Sequence, residues 1–280
     1  MIVRRPVRLA LLATLPLLAA TACGDNTPEP RTVRVANPGA NAAADLRRSI
    51  ETATFSPPVV TTDTPGQVPG HGAGTTTGPD NAALPGAARP DPATVRAQIL
   101  LDRTRFSPGI IDGLGGQNSR QAIAAFEAAN DLPVDGELDA TVLQKLAAAD
   151  SRTVLTDYTI TAADAAGPFI GTVPDSIAAM ARLETVGYAS AREALAEKFH
   201  MTEALLEALN PGADFARAGQ TIVVAQTGPD ALQGAVSRIV VSKGEQSVRA
   251  YAADGTLLAF YPATVGSSGT PSPTGSHTVR

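Results

Sequence analysis

Apolar and polar positions follow different rhythms in successive parts of this chain, and each rhythm predicts an element. From Asp91 to about Ala149 the rhythm is helical. Asp91-Pro92 supplies an N-cap followed by proline at the first helical position, and Val95, Ile99 and Leu100 share a face. After Phe106, "SPGIIDGLGGQNS" reads as a glycine-rich turn. Asn118 is expected to cap a second helix, with Gln121 reaching back, and the buried face of that helix is Ala122, Ile123, Phe126 and Ala129. "DLPVDGELD" is another turn, and Asp139 opens a third helix carrying Val142, Leu143 and Leu146. Three short helices sharing one apolar face predict a compact bundle over 91–149.

The next stretch, 157–226, mixes two periods. "DYTITAAD" reads as a strand. Ser190 with Glu193 forms a capping box that opens a helix bearing Ala194, Leu195 and Phe199. Thr202 caps another, bearing Leu205, Leu206 and Leu209, which Pro211 and Gly212 stop. "GQTIVVA" is rich in β-branched residues and predicts a closing strand. His200 lies at the junction of the two helices and reads as a satisfied polar residue at a helix end. From 237 onward the period is two. Strands are expected at Ile239–Ser242, Ser247–Ala252 and Leu257–Val265, with Asp254-Gly255 as a hairpin signal. Val248, Ala250 and Ala252 alternate with Arg249 and Tyr251, which predicts a sheet with one wet face. Gly266–Gly275 is a loop, and Ser276–Arg280 begins a fourth strand. The whole is a multidomain α+β chain.

The N-terminal part has neither rhythm. Arg4, Arg5 and Arg8 precede "LALLATLPLLAA", an apolar run too short to span a bilayer and broken by Pro16. With the small residues that follow, 1–22 reads as a signal peptide for export. Ala20-x-Ala22 suits ordinary signal peptidase, which would leave Cys23 as a free N-terminal thiol. The same tetrapeptide, "ATAC", resembles a bacterial lipobox, in which Cys23 becomes the lipid attachment site. The first makes the product soluble in the periplasm, and the second anchors it to a membrane of the cell envelope. From Cys23 to about 90, Pro, Gly, Thr and Ala dominate, and a flexible tether is expected, with one short helical stretch near Asp45–Thr54.

Composition narrows the chemistry. The chain has 280 residues, a net charge of -5, no Trp and a single cysteine. Without a basic block, a nucleic-acid partner is not expected. One cysteine allows no intramolecular disulfide. His71 stands in the spacer with no second ligand nearby, so no metal site and no cofactor are expected.

Three segments resemble known families. Gln98-x-x-Leu101, Ile111-Asp112-Gly113-x-x-Gly116, Ala122-x-x-x-Phe126 and Leu132-Pro133-Val134-Asp135-Gly136 together resemble the peptidoglycan-binding domain found beside wall enzymes. Ser119 and Glu127 depart from the family's more usual Thr and Gln. "EKFHMTEALLEALNPG" with "AGQTIVVA" is similar to a LysM domain, which implies contact with N-acetylglucosamine polymers, although Ala163–Ala189 replaces that family's tight first turn. "VSKGEQSVRAY", "LLAFYPATVGS" and "TPSPTG" resemble the opening of an L,D-transpeptidase catalytic domain. That resemblance implies a β-rich fold and acyl transfer between peptidoglycan stem peptides through a Cys thiolate. It also implies that the catalytic His and the Ser-x-Gly-Cys motif follow the Pro-Thr-Gly loop, so 237–280 is expected to be an incomplete domain with no catalytic residue in this chain. His277 precedes that region and is not the family's histidine. The expected partners are the glycan and stem peptides of peptidoglycan. Which residues touch them is not specified by the sequence. The other reading is a non-catalytic wall-anchoring lipoprotein.

Overall fold

The computed structural model describes residues 38–55, 89–172, 174, 176–182, 187–229, 231–232, 234–267 and 269–278. The expected signal peptide 1–22, Cys23, His71 and most of the expected tether lie outside the described residues.

The first described element is a helix, α1 (Pro38–Thr52), inside the stretch read as tether. Ala43, Leu46, Arg47 and Ile50 recur at helical spacing, and Ile50 and Ala43 are buried. The stripe packs on α2 (Pro92–Arg103) and on α8 (Glu203–Leu209). Polar groups fasten the same face. Arg47 donates to the carbonyl of Leu209, Arg96 donates to that of Glu51, and the Glu51 carboxylate accepts from the N–H groups of Val154 (3.2 Å) and Leu155 (2.7 Å). Only Leu46 and Ile50 in the helix are large apolar residues, which is why the sequence signal there is weak.

The bundle is α2, α3 (Gln117–Ala129) and α4 (Ala140–Ala149). Asp91 and Asp139 cap α2 and α4 as expected, accepting from the N–H of Thr94 (2.8 Å) and Val142 (2.7 Å). Asn118 does not cap α3. Extended Gly116 starts that helix two residues earlier, without a side-chain cap, and Asn118 stands in its first turn.

β1 (Leu155–Thr159) pairs antiparallel with β2 (Thr221–Ala225), and between them lie α5 (Ala162–Ala166), α6 (Ile177–Met180), α7 (Ala191–Lys198) and α8. "DYTITAAD" is only partly strand. Thr161 and Asp164 form a reciprocal capping box that ends the extended run and opens α5. Ser190 and Thr202 cap α7 and α8 as read.

β3 (Arg238–Ser242), β4 (Ser247–Tyr251) and β5 (Leu257–Pro262) form an antiparallel meander in the order 3-4-5. The sheet has two unlike faces, as the alternation predicts, and the more exposed one carries the apolar side chains of β3. Register places Val240, Arg249 and Phe260 on one face, and this face meets the bundle, with Phe260 fully buried. Ile239, Val241, Val248, Ala250 and Tyr261 share the other face, where Ile239 is 58% and Val241 55% exposed. Arg249 belongs inside because its guanidinium lies 5.3 Å from the Phe260 ring while its tip reaches Glu245. The expected fourth strand is not formed over Ser276–Thr278, and the last two residues lie outside the described set.

Bundle, meander and the β1–β2 pair with α5–α8 between its strands (called the βααβ unit for its two longer helices, α7 and α8) share one apolar core. Ile99, Leu101, Phe106, Phe126, Leu146, Leu195, Met201, Leu206, Val224 and Phe260 all belong to it. The α2–α3 connection is the hub. Phe106 bridges to Phe260, with the Phe260 N–H donating to the Arg105 carbonyl and the Ser107 N–H donating to the Phe260 carbonyl, both at 2.9 Å. Five residues on, Ile111 bridges to Met201, its N–H donating to the His200 carbonyl at 2.7 Å.

Candidate functional site

Two Asp-Gly turns of the bundle are built the same way. In each, a buried polar side chain from a helix grips the turn's backbone. The Gln98 amide oxygen accepts from the N–H of Asp112 (3.1 Å) and Gly113 (2.8 Å), and its amide nitrogen donates to Asp112 Oδ1 (2.9 Å) and Ser119 Oγ (3.3 Å). The Glu127 carboxylate accepts from the N–H of Asp135 (3.1 Å) and Gly136 (2.9 Å). Each Asp then accepts from the residue two ahead, Asp112 from Leu114 and Asp135 from Glu137. Burial pushes the Glu127 carboxyl above the usual carboxylate range, and the two N–H donors oppose that shift.

Glycine is required at the centre of both turns. Gly113 has φ +73° and a Cβ there would sit 2.6 Å from Pro90, while at Gly136, with φ +71°, it would sit 2.8 Å from the Arg120 carbonyl oxygen. The departures at Ser119 and Glu127 are therefore internal to the turns. Ser119 is buried and bonded to Gln98, and Glu127 holds the second turn from below.

The first turn frames an open hollow of about 260 Å³. Pro108, Ile110 and Leu114 give it apolar walls, and Asp112, Gln117 and Asn118 give it polar ones. Ile110 and Leu114 are exposed although both are large and apolar. Phe126 is not part of the hollow. It is 2% exposed and packs edge-on to Phe106 with ring centroids 5.9 Å apart, so it is core, as its position on the helix face predicts.

Residues 90–146 match the family model of a peptidoglycan binding domain. The chain contains a peptidoglycan-binding domain. Both gripped turns and the hollow lie inside the matched residues, and the βααβ unit and the meander lie outside them. No curated protein matches the chain.

A second hollow, of about 250 Å³, lies where α1 meets the Asn210-Pro211-Gly212 turn after α8. Its polar groups are largely engaged. Asn210 is buried and exchanges bonds with the N–H and C=O of Val223, both at 2.7 Å, and Arg47 is held by Leu209 and Asn210.

Elsewhere the polar clusters are structural. Asp164 accepts from Thr161, Tyr158 and Lys198, tying α5 to β1 and α7. Burial raises its acidity constant's midpoint, but those three donors outweigh burial and hold the carboxyl well below its usual range. His200 has φ +56° and its Nδ1 lies 3.1 Å from Asp102 Oδ1, so it joins the βααβ unit to the bundle, in keeping with the polar helix-end role read from sequence. Among the described residues no group of three or more His, Cys, Asp or Glu side chains could hold a metal ion, and no helix is long and apolar enough to cross a membrane.

Proposed function

We propose that this protein binds peptidoglycan through the hollow between the Pro108–Leu114 loop and the first turn of α3. The observation that carries this reading is the coincidence of the matched domain with a preorganised, partly apolar hollow. Buried Gln98 fixes its floor, so little conformational freedom is lost when a ligand enters.

The finer reading is an exported L,D-transpeptidase. It is supported by the motif order of 237–280 and by the meander's exposed Ile239–Val241 face, an apolar surface of the kind a fuller β-rich domain would cover. The acyl transfer would need a thiolate with a histidine beside it; no cysteine lies among the described residues and His200 is engaged with Asp102, so no catalytic role is given to any of them. The βααβ unit is a LysM-like spacer in this reading. Export to the cell envelope, by lipidation of Cys23 or by ordinary cleavage before it, is supported by the 1–22 pattern.

Sedimentation with purified sacculi tests the binding. The chain from Cys23 to Arg280 should co-sediment, and the double variant Gln117→Ala, Asn118→Ala should weaken binding at least fivefold without loss of helicity. Unchanged binding by that variant would remove the hollow from the account. Cross-linking of tetrapeptide donors by this chain, surviving Cys23→Ala, would show a nucleophile among residues given no such role. Uptake of labelled palmitate by the wild type but not by Cys23→Ala would select the lipid anchor, and a free thiol at Cys23 would select ordinary cleavage.

A further inference from the structure

The two walls of the hollow are not local to the bundle. One wall is the Pro108–Leu114 loop, and the residues that lead into it, Arg105 and Ser107, hold both backbone groups of Phe260 in β5. The other wall is the first turn of α3, a helix that packs along β5 and whose Phe126 stacks on Phe106. They converge at Gly109. With φ +82°, a Cβ at that position would touch Pro262 at the end of β5 (3.4 Å) and the Asn118 amide (3.5 Å). The rim of the hollow and the end of the strand are thus separated by one glycine.

The lining also discriminates between the two halves of the polymer. It offers amide and carboxylate groups beside Pro108, Ile110 and Leu114, and no aromatic ring on which the face of a sugar could stack. Small apolar side chains and peptide amides fit such a surface.

We propose that the hollow takes the stem peptide and that its occupancy is transmitted to β5. The inference rests on the binding reading above. A peptide bridging both walls clamps the loop against α3. The Phe260 N–H exchanges only when its bond to the Arg105 carbonyl opens, and a ligand that holds the loop against α3 opposes that opening. Ligand that binds only the closed form lowers the open population by a factor of one plus the ratio of free ligand to Kd, about elevenfold at ten times Kd. The consequence is a sheet that is more firmly paired when a stem peptide is docked beside it.

Amide hydrogen exchange of the chain from Cys23 to Arg280 tests this, with a synthetic stem tetrapeptide at ten times its Kd and a peptide-free glycan fragment as the second probe. The tetrapeptide should slow exchange at Asn118 and at Phe260 by five- to tenfold and leave Val241, on the far strand, unchanged. Protection confined to the hollow would overturn the transmission while leaving the binding reading intact. Protection by the glycan fragment and not the peptide would overturn the ligand assignment. No protection by either probe would overturn the binding reading and this inference with it. Ser107→Pro, which deletes the donor to Phe260, should keep protection at Asn118 and lose it at Phe260. Circular dichroism verifies that this variant is folded, and the wild-type result decides the matter by itself.

Discussion

Arg103 offers the sharpest test of how the parts of this molecule are joined. Its side chain is 2% exposed, and its guanidinium serves three carbonyls from two other segments. Nε donates to Gln226 at 2.7 Å, and the terminal nitrogens donate to Arg152 (3.4 Å) and Thr153, with Asp150 at 3.5 Å. Those acceptors sit just before β1 and just after β2, where Leu155 pairs with Ala225, so one side chain pins that end of the two-stranded sheet to the end of α2. Burial pulls the Arg103 pKa below its usual value, with Asp150 opposing the shift, yet the group stays charged at any ordinary pH. Replacement by methionine keeps much of the stem's packing and removes the fork. Each charge-assisted bond is worth about 1.5–3 kcal/mol, but the cost of desolvating the guanidinium cancels part of that sum. Breaking a buried ionic cluster by deleting one member costs about 3–5 kcal/mol, which is the expected loss for Arg103→Met. Arg103→Lys should fall between, since an ammonium cannot reach three carbonyls held in a fork. Because the chain has no Trp, urea unfolding is best followed by far-ultraviolet circular dichroism. Hydrogen exchange should rise more in β2 than in α3. A loss below about 1 kcal/mol, or equal rises in both elements, would mean that the apolar core alone joins the parts and that the fork adds nothing.

Three further outcomes follow from the geometry. Phe126→Ala should cost about 3–5 kcal/mol in the same unfolding assay, and a cost near zero with unchanged helicity would place the ring at the surface. Gly136→Ala should destabilise more than Gly212→Ala. Both have positive φ, worth about 1–2 kcal/mol, but only at Gly136 would the new Cβ strike backbone, whereas nothing lies within 4 Å at Gly212; equal losses would refute the steric argument. Acid should also loosen the βααβ unit. The bond from Arg152 holds Asp150 down at about 2, and Asp164 is depressed too, so both stabilise the fold above the ordinary carboxylate range near 4 and lose that contribution as pH falls through the lower folded values. Thermal unfolding of Asp164→Asn between pH 5 and pH 2 should therefore show a shallower decline than the wild type, and parallel curves would contradict it.

The elements with strong periodicity were legible in the sequence. Asp91, Asp139, Ser190 and Thr202 announce four helices because each cap is a local bond between a side chain and an N–H three residues on. The strands of the meander were equally plain, since Asp254-Gly255 and the alternation around Val248 are local too. What was not legible depends on partners far away in the chain. Only the second half of α1 shows in the sequence, as the short helical stretch near Asp45–Thr54; its first half has no large apolar residue, and its burial comes from α2 and α8. Which face of the meander meets a neighbour is not legible, because alternation reveals only that two faces differ. Arg249 looks like a solvent residue until Phe260 is seen beneath it. The hollow was half visible. Its turn is marked by Asp112-Gly113 and Gly116, but Asn118 reads from sequence as a helix cap, and Pro108, Ile110 and Gln117 carry no signal of their own. The gripping roles of Gln98 and Glu127 could have been suspected from two polar residues lying on apolar helix faces, each followed by an Asp-Gly pair.

The docking of α1 changes how far the rest of the molecule can travel. If Cys23 is the lipid anchor proposed above, the covalent path from it to the first docked element ends at Pro38 and not at Pro92. Fully extended, the longer path would reach about 230 Å and the shorter one about 50 Å. With α1 bound by Ile50, Arg47 and Glu51, the shorter contour would be the upper limit on the distance between such an anchor and the peptidoglycan-binding domain. Undocking the helix would lengthen that path severalfold without altering a single contact inside the hollow, so for an anchored chain one helix face would set the maximum reach.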